Sequence, residues 1–175
     1  MRTLRRGLVA LMLAAPACIA QASEDALESA CKARIATTFR EWTVASVTPD
    51  VSQWAKSQQL NPTLVYGDFD GDGHLDLALL VQDRSSPILD YPERAHASHV
   101  AICLSKPPAV TLHIIGEPYC SDFIERVSKG QPYYDFETGK TGAYPVDGVR
   151  THCFEKASAT YVYDGTRFRR IVDGD

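Results

Sequence analysis

The spacing of hydrophobic residues along the chain changes from a helical period to a strand period near residue 62. Between residues 23 and 42, hydrophobic residues recur every three or four positions. Ser23 can cap this segment and acidic residues follow it at once, so we expect a helix over residues 23–42. Its hydrophobic positions are Leu27, Ala30, Cys31, Ile35 and Phe39. A looser segment through Pro49 and Trp54 to Pro62 is expected to follow.

Beyond residue 62, the alternation of hydrophobic and polar residues predicts strands. We expect about seven, at residues 63–66, 75–81, 99–104, 110–115, 151–154, 159–163 and 167–172. Asp164-Gly165, between the last two, is a strong hairpin signal. Residues 84–97 are predicted to form a surface loop, and residues 118–148 irregular structure with a short strand at 133–136. The predicted class is mainly antiparallel β with one N-terminal helix.

The N-terminal segment is typical of a secretory signal peptide. It has three arginines in its first six residues, a short apolar run over residues 8–15, and the A-x-A site Ala20-Gln21-Ala22. We expect residues 1–22 to be a cleaved signal peptide, residues 23–175 to form one domain, and the protein to be periplasmic or secreted. The apolar run is too short to span a bilayer. A lipid anchor at Cys18 is an alternative, although Ala15 stands where leucine is usual.

The net charge of the mature chain limits the classes of molecule that it is expected to bind. The full chain has a net charge of −4, and removal of residues 1–22 takes away three arginines and no acidic residue, which gives −7. An acidic surface repels nucleic acids and anionic membranes and attracts cations or basic proteins. Nucleic-acid binding is therefore not expected.

Four cysteines remain after residue 22, which suggests two disulfides in an exported protein. They are Cys31, Cys103, Cys120 and Cys153, and three pairings are open. We favour Cys103 with Cys120, because they flank two adjacent predicted strands, and therefore Cys31 with Cys153. No C-x-x-C motif is present, so zinc ribbons and thioredoxin-type chemistry are not indicated.

The most distinctive stretch is GDFDGDGHLDL at residues 67–77. Counted from Asp68 as position 1, aspartates occupy positions 1, 3, 5 and 9, and Gly73 occupies position 6. Alternate positions of a tightly wound loop direct side chains inward, and glycine at position 6 permits the sharp turn of a calcium loop. Calcium prefers oxygen ligands of this kind. The candidate metal ligands are Asp68, Asp70, Asp72, the backbone oxygen of His74, and Asp76.

The loop differs from an EF-hand, because position 12 is Leu79 instead of glutamate and because strands, not helices, are predicted on both sides. A strand–loop–strand unit with D-x-D-G-D-G-x-x-D resembles the calcium loops of FG-GAP and VCBS repeats, over about residues 65–81. This resemblance implies one Ca²⁺ ion held by the five candidate ligands. FG-GAP proteins usually carry several copies, whereas this chain carries one, so a propeller built from repeats is not expected.

Three alternatives to calcium were considered for this loop. It could be an acidic turn without metal. Magnesium usually keeps several of its waters and zinc prefers nitrogen and sulfur ligands, so both suit an all-oxygen loop less well. Four carboxylates neutralise a calcium ion fully and no substrate base is evident nearby, which favours a structural ion over a catalytic one.

Other sites of chemistry receive little support from the sequence. His96 and His99 form H-x-x-H without an evident third ligand, and Cys153 beside His152 is better explained by a disulfide, since neighbours on a strand point to opposite faces. Tyrosines cluster in the stretch predicted to be irregular, where they form either a contact surface or a packed edge of the core. These are Tyr119, Tyr133, Tyr134 and Tyr144.

The combined features predict an exported, non-enzymatic calcium-binding protein that acts by binding another protein. Small periplasmic proteins with one such loop are similar to inhibitors and immunity proteins against lysozyme-like peptidoglycan hydrolases, and an acidic surface suits a basic partner of that kind. The alternative is a cell-envelope enzyme, a hydrolase, that uses the calcium site structurally.

Overall fold

The computed structural model describes residues 15–85, 97–116 and 121–174. Within these ranges the helices are α1 (Ala15–Thr38) and α2 (Pro49–Ser57). The strands are β1 (Trp42–Val44), β2 (Leu64–Gly67), β3 (Asp76–Asp83), β4 (Ala97–Lys106), β5 (Ala109–Gly116), β6 (Phe123–Val127), β7 (Pro132–Asp135), β8 (Lys140–Ala143), β9 (Gly148–Cys153), β10 (Ala157–Tyr163) and β11 (Phe168–Gly174). The predicted class, mainly antiparallel β with an N-terminal helix, is confirmed.

The strands form two main sheets and a separate hairpin. Sheet 1 has the order β1-β3-β4-β5, and β2 pairs with the same edge of β3 as β1 does, so β1 and β2 lie end to end. Sheet 2 has the order β11-β10-β9-β6. Strands β7 and β8 pair only with each other in the described ranges. All these pairings are antiparallel.

The hydrophobic core has one part between the two sheets and another between sheet 1 and α1. The first part joins residues of sheet 1, such as Leu80 and Ile102, to Ile124 and Val149 of sheet 2. The second part joins Leu27, Cys31 and Ile35 of α1 to Leu77, Leu79, Val81, Ala101 and Cys103 of sheet 1. Strand β3 is thus covered on both faces, which explains why its central residues 77–81, LALLV, form an unbroken hydrophobic run.

A disulfide joins α1 to sheet 1 and corrects the predicted pairing. Cys31 is bonded to Cys103, with 5.7 Å between their Cα atoms. Both predicted pairings, Cys103 with Cys120 and Cys31 with Cys153, are therefore wrong, because Cys103 lies on the face of β4 that packs against α1. Cys153 is also disulfide-bonded, and Cys120 lies outside the described residues.

The predicted N-terminal helix is present with different ends. The helix begins at Ala15, so Ser23 lies inside it and does not cap it, because the alanine-rich residues before Ser23 continue the helix. It ends at Thr38, before β1, instead of reaching Trp42. Its predicted core positions Leu27, Cys31 and Ile35 are buried. No helix of the described ranges is both long and apolar enough to cross a membrane.

Several elements were not predicted. The segment expected to be loose contains α2, whose cap Thr48 accepts a hydrogen bond from the Val51 amide at 3.4 Å and whose first residue is proline. It is short and buries only Val51 and Ala55, so its periodic signal is weak. Strands β1, β6 and β8 were also missed. The predicted loop at residues 84–97 lies mostly outside the described residues, as do residues 1–14 and His96.

The tyrosine-rich stretch contains both packed and exposed rings. Tyr144 is 1% exposed, and Tyr133 packs against it with ring centroids 4.9 Å apart. Tyr134 on the β7–β8 hairpin is 47% exposed and contacts Phe136, which is 50% exposed. Tyr133 and Tyr144 therefore fit a packed edge of the core, the contact surface stays a prediction for the exposed Tyr134, and Tyr119 lies outside the described residues.

Candidate metal centre

The aspartate loop connects β2 to β3, two strands paired directly with each other. Gly67 is opposite Asp76 in the antiparallel register, so the loop begins and ends at one point of sheet 1. Phe69 is fully buried in the core between the sheets. Because Phe69 points inward, its neighbours Asp68 and Asp70 are held at the edge of the core instead of in open solvent.

Three of the predicted ligands come together. Oxygen atoms of Asp68, Asp70 and Asp76 all lie within 4.8 Å of one another. Oxygens that bind one calcium ion at 2.3–2.6 Å are at most about 5 Å apart, so a single ion can contact all three carboxylates. Convergence of these three side chains, predicted from the alternating sequence, is therefore confirmed.

Asp76 is fully buried and closes the loop. Its Oδ2 accepts a hydrogen bond from the Phe69 amide at 2.8 Å, and its Oδ1 accepts one from the Ser105 amide at 2.7 Å. Burial raises the pKa of Asp76 to about 6, although these two hydrogen bonds lower it, and the nearby charges of Asp70 and Asp72 raise it further. A cation at this point would relieve both the desolvation and the repulsion.

Asp68 contains a buried oxygen for which the described residues provide no donor. Its Oδ2 accepts a hydrogen bond from the Gly73 amide at 3.1 Å. Its Oδ1 is buried and has no hydrogen-bond partner within the described ranges. A buried carboxylate oxygen without a hydrogen-bond donor lowers the stability of the folded protein, whereas a bound metal ion would provide the missing partner. The residues present therefore fit a hard cation.

Asp72 does not belong to the group of three converging carboxylates, and the predicted ligand of His74 is a backbone oxygen. Asp72 is exposed and is not among the three residues whose oxygens converge. It stabilises the loop through two local hydrogen bonds. Its Oδ1 accepts one from the His74 amide at 2.8 Å, and its own amide donates one to Asp70 Oδ1 at 3.2 Å. Their roles as the third side-chain ligand and the backbone-oxygen ligand remain predictions.

Two glycines allow the loop to turn. Gly71 and Gly73 have φ values of +79° and +86°, a conformation that other residues adopt rarely. At Gly71 a β-carbon would also lie 2.7 Å from Cγ1 of Val146, so a side chain would clash there. The glycine at position 6 thus has the role in this turn that the sequence predicted.

Residues far along the chain support the loop and were missed by sequence reasoning. Asp147, between β8 and β9, accepts hydrogen bonds from the amides of Asp68 at 3.2 Å and Lys129 at 2.9 Å. The Nζ of Lys106 lies 3.3 Å from Asp70 Oδ2. Neither residue lies in a recognisable motif, so only the three-dimensional fold relates them to the loop.

A second polar cluster lies on the face of sheet 2 away from sheet 1. Arg150 contacts Glu125 at 3.2 Å and Asp173 at 2.7 Å, and His152 Nε2 is 3.1 Å from Glu125. The ring of His152 stacks on Phe123, with centroids 4.2 Å apart. Arg150 bridges the two carboxylates of this cluster, which is typical of a structural network.

Comparison with known proteins adds no further information about the site. No family model, no curated protein and no solved structure matches this chain.

Proposed function

We propose that the chain is an exported calcium-binding protein whose ion is held by Asp68, Asp70 and Asp76, with Asp72 and the backbone oxygen of His74 as further ligands. The observation that carries this proposal is the buried Oδ1 of Asp68, which has no donor in the described ranges and lies in a group of three converging carboxylates. The all-oxygen donor set favours calcium over zinc. Magnesium usually keeps several of its waters and binds through one or two carboxylates, so a group of three converging carboxylates favours calcium over magnesium as well.

Calcium titration tests whether the protein binds the ion at these residues. Titration of the metal-free protein with calcium should show one site, and Asp70→Ala should abolish binding, because Asp70 has a side chain only 4% exposed and belongs to the converging group. Glu137→Ala is the matched control, since Glu137 is an exposed acid paired with Arg170 on the hairpin side of the molecule. Loss of binding in both variants, or in neither, would contradict the assignment.

In this proposal the ion is structural and the protein is exported to an oxidising compartment. Two disulfide-bonded positions on separate elements, Cys103 and Cys153, support an oxidising compartment, as does the signal-like sequence of residues 1–22. Cleavage after Ala22 would leave a helix that starts at Ser23 and still contains the buried Leu27, Cys31 and Ile35. Intact mass of the exported protein, with and without reductant, tests both processing and the absence of accessible thiols.

The function that we propose for this calcium-stabilised scaffold is protein binding, specifically inhibition of a lysozyme-like peptidoglycan hydrolase. Its support is the acidic charge of the mature chain and the exposed aromatic pair Tyr134 and Phe136, since large exposed aromatic side chains are common in binding surfaces. A basic hydrolase would be attracted by the acidic charge and would bury the aromatic pair on binding.

A cell-wall turbidity assay with purified lysozyme-type hydrolases tests inhibition. The wild-type protein should slow lysis, less so at high salt, because salt screens the attraction. The double variant Tyr134→Ala/Phe136→Ala should weaken inhibition, whereas Leu60→Ala, which removes an apolar side chain of similar exposure at 40%, should not. Turnover of cell-wall substrate by the protein alone would instead favour the alternative, an envelope hydrolase.

A further inference from the structure

The end of strand β4 reaches the aspartate loop with two consecutive residues. The amide of Ser105 donates a hydrogen bond to Asp76 Oδ1 at 2.7 Å. The next residue, Lys106, places its Nζ 3.3 Å from Asp70 Oδ2. Because the Ser105 contact holds the backbone at this point, the stem of Lys106 begins next to the carboxylate group.

The two partners of this ion pair differ greatly in exposure. The Asp70 side chain is 4% exposed, whereas the Lys106 side chain is 56% exposed. Asp70 is held in place and also accepts a hydrogen bond from the Asp72 amide at 3.2 Å. The lysine is a compact charge on a flexible stem, so it can leave Asp70 for solvent without disturbing the core.

An ion bound to the converging carboxylates and the ammonium of Lys106 would compete for the same carboxylate, that of Asp70. Asp70 belongs to the group whose oxygens lie within 4.8 Å of one another, and Lys106 contacts Asp70 directly. Two positive charges within a few ångströms repel each other, even when solvent screens them. Binding of the ion therefore requires Lys106 to move away or to tolerate that repulsion.

We propose that Lys106 is an intramolecular counter-ion that occupies Asp70 in the metal-free protein, is displaced when calcium binds, and so sets the calcium affinity below what the carboxylates alone would give. This inference rests on the proposed calcium site. It assigns to the β4–β5 hairpin a role in tuning a site whose ligands all come from another hairpin. The same contact neutralises part of the carboxylate repulsion when no ion is bound.

The test is calcium titration calorimetry at low ionic strength on four metal-free proteins. Lys106→Met removes the charge but keeps an unbranched stem, and it should bind calcium about tenfold more tightly than wild type. Lys106→Arg keeps the charge and should remain within about threefold of wild type. Lys156→Met, which removes an exposed lysine in the β9–β10 turn, controls for the change in net charge and should leave the affinity unchanged.

Thermal unfolding of the same proteins gives a second measurement. Without calcium, Lys106→Met should unfold at a lower temperature than wild type, and its calcium-induced rise in Tm should be larger. Calcium binding by wild type with equal or weaker affinity in Lys106→Met would overturn the role of the lysine and leave the metal site intact. Failure of both proteins to bind calcium would overturn the site itself and this inference with it.

Discussion

At the scale of single residues, the four loop aspartates are not equivalent. Asp76 is buried with both oxygens bonded to backbone amides, and Asp68 has one buried oxygen for which no donor lies in the described ranges. Asp72 is exposed and accepts a hydrogen bond from the loop backbone. A buried, unsatisfied ligand oxygen gains most from an ion, so the contributions of these residues to binding should differ.

Replacement of Asp68 by asparagine should abolish calcium binding, whereas Asp72→Asn should weaken it by only about tenfold, since an exposed charge interacts through solvent. Without calcium, Asp68→Asn should be at least as stable as wild type, because the substitution removes the charge of a carboxylate whose buried Oδ1 has no donor in the described ranges. Calorimetry and thermal unfolding measure the two effects. Equal losses of affinity in both variants would mean that Asp72 is a full ligand, as its place in the sequence motif implies.

Asp173 illustrates a buried carboxylate whose charge the protein does satisfy. Its side chain is 1% exposed and accepts hydrogen bonds from Thr160 Oγ1 at 2.6 Å, from Arg150 Nη2 at 2.7 Å and from the Tyr144 hydroxyl. Burial alone would raise the pKa of Asp173, but the hydrogen bonds from these donors outweigh it, so that the pKa lies below its ordinary value. The ionised form is therefore favoured in the folded state.

This direction fixes the pH dependence of Asp173. A carboxylate with a lowered pKa in the folded protein stabilises it above the pKa of the unfolded chain, about 3.9, and loses that effect as the pH falls through the folded value. Asp173→Asn should lower the free energy of unfolding at pH 7 by about 1–3 kcal/mol, since charged hydrogen bonds are lost. Urea unfolding should show this deficit shrinking below pH 4. A deficit independent of pH would indicate a packing effect alone.

At the scale of secondary-structure elements, the Cys31–Cys103 disulfide and the hydrophobic contacts of α1 act together. The bridge joins residues 72 positions apart and lies within the core between the helix and sheet 1. Cross-linking positions so distant restricts the unfolded chain strongly, by about 4 kcal/mol in the chain-entropy model. The helix therefore depends on this bond as well as on Leu27 and Ile35.

The double variant Cys31→Ala/Cys103→Ala should accordingly lose about 4 kcal/mol of stability, or about 10 °C in Tm for a domain of this size. Far-ultraviolet circular dichroism should show that the sheets persist at low temperature. Peptide mapping of the unreduced wild-type protein provides the check on connectivity. A Cys31–Cys153 peptide in that map would contradict the bond on which the prediction depends.

The sequence predicted the elements whose signals are local. Strand β3 is an unbroken hydrophobic run, the β10–β11 hairpin carries Asp-Gly, and the aspartate loop carries its own spacing. Helix α2 was missed although Thr48 and Pro49 mark its start, because a short helix with two buried residues gives little periodicity. The disulfide, Lys106 and Asp147 could not be predicted, because each depends on which strands and helices become neighbours.

At the scale of the whole molecule, the aspartate loop lies where several segments meet. Phe69 inserts into the core between the sheets, Ser105 and Lys106 approach from the end of β4, and the segment with Val146 and Asp147 approaches from before β9. A bound ion would therefore stabilise contacts between the two sheets and not only the loop. Because the unfolded chain would not contain this site, the free energy of ion binding would add to the free energy of unfolding.

Chelation of calcium should lower the stability of the entire protein. Binding to the folded state alone contributes RT ln(1 + [L]/Kd), about 2.7 kcal/mol at a free calcium concentration 100 times Kd. Chelator should therefore reduce the Tm by about 5–10 °C, and magnesium should restore much less than calcium.

Hydrogen exchange should locate this loss of stability in the structure. Without calcium, faster exchange is expected in residues 67–77 and also at the amides of residues 105–106 and 146–148, because the contacts of Ser105, Lys106 and Asp147 depend on the position of the loop. The Asp164-Gly165 turn between β10 and β11 serves as the internal control, since it is closed by local hydrogen bonds and its amides exchange by local opening instead of global unfolding. Faster exchange confined to residues 67–77 would show that the ion stabilises only its own loop, and an unchanged Tm would show that the aspartates form a turn without metal.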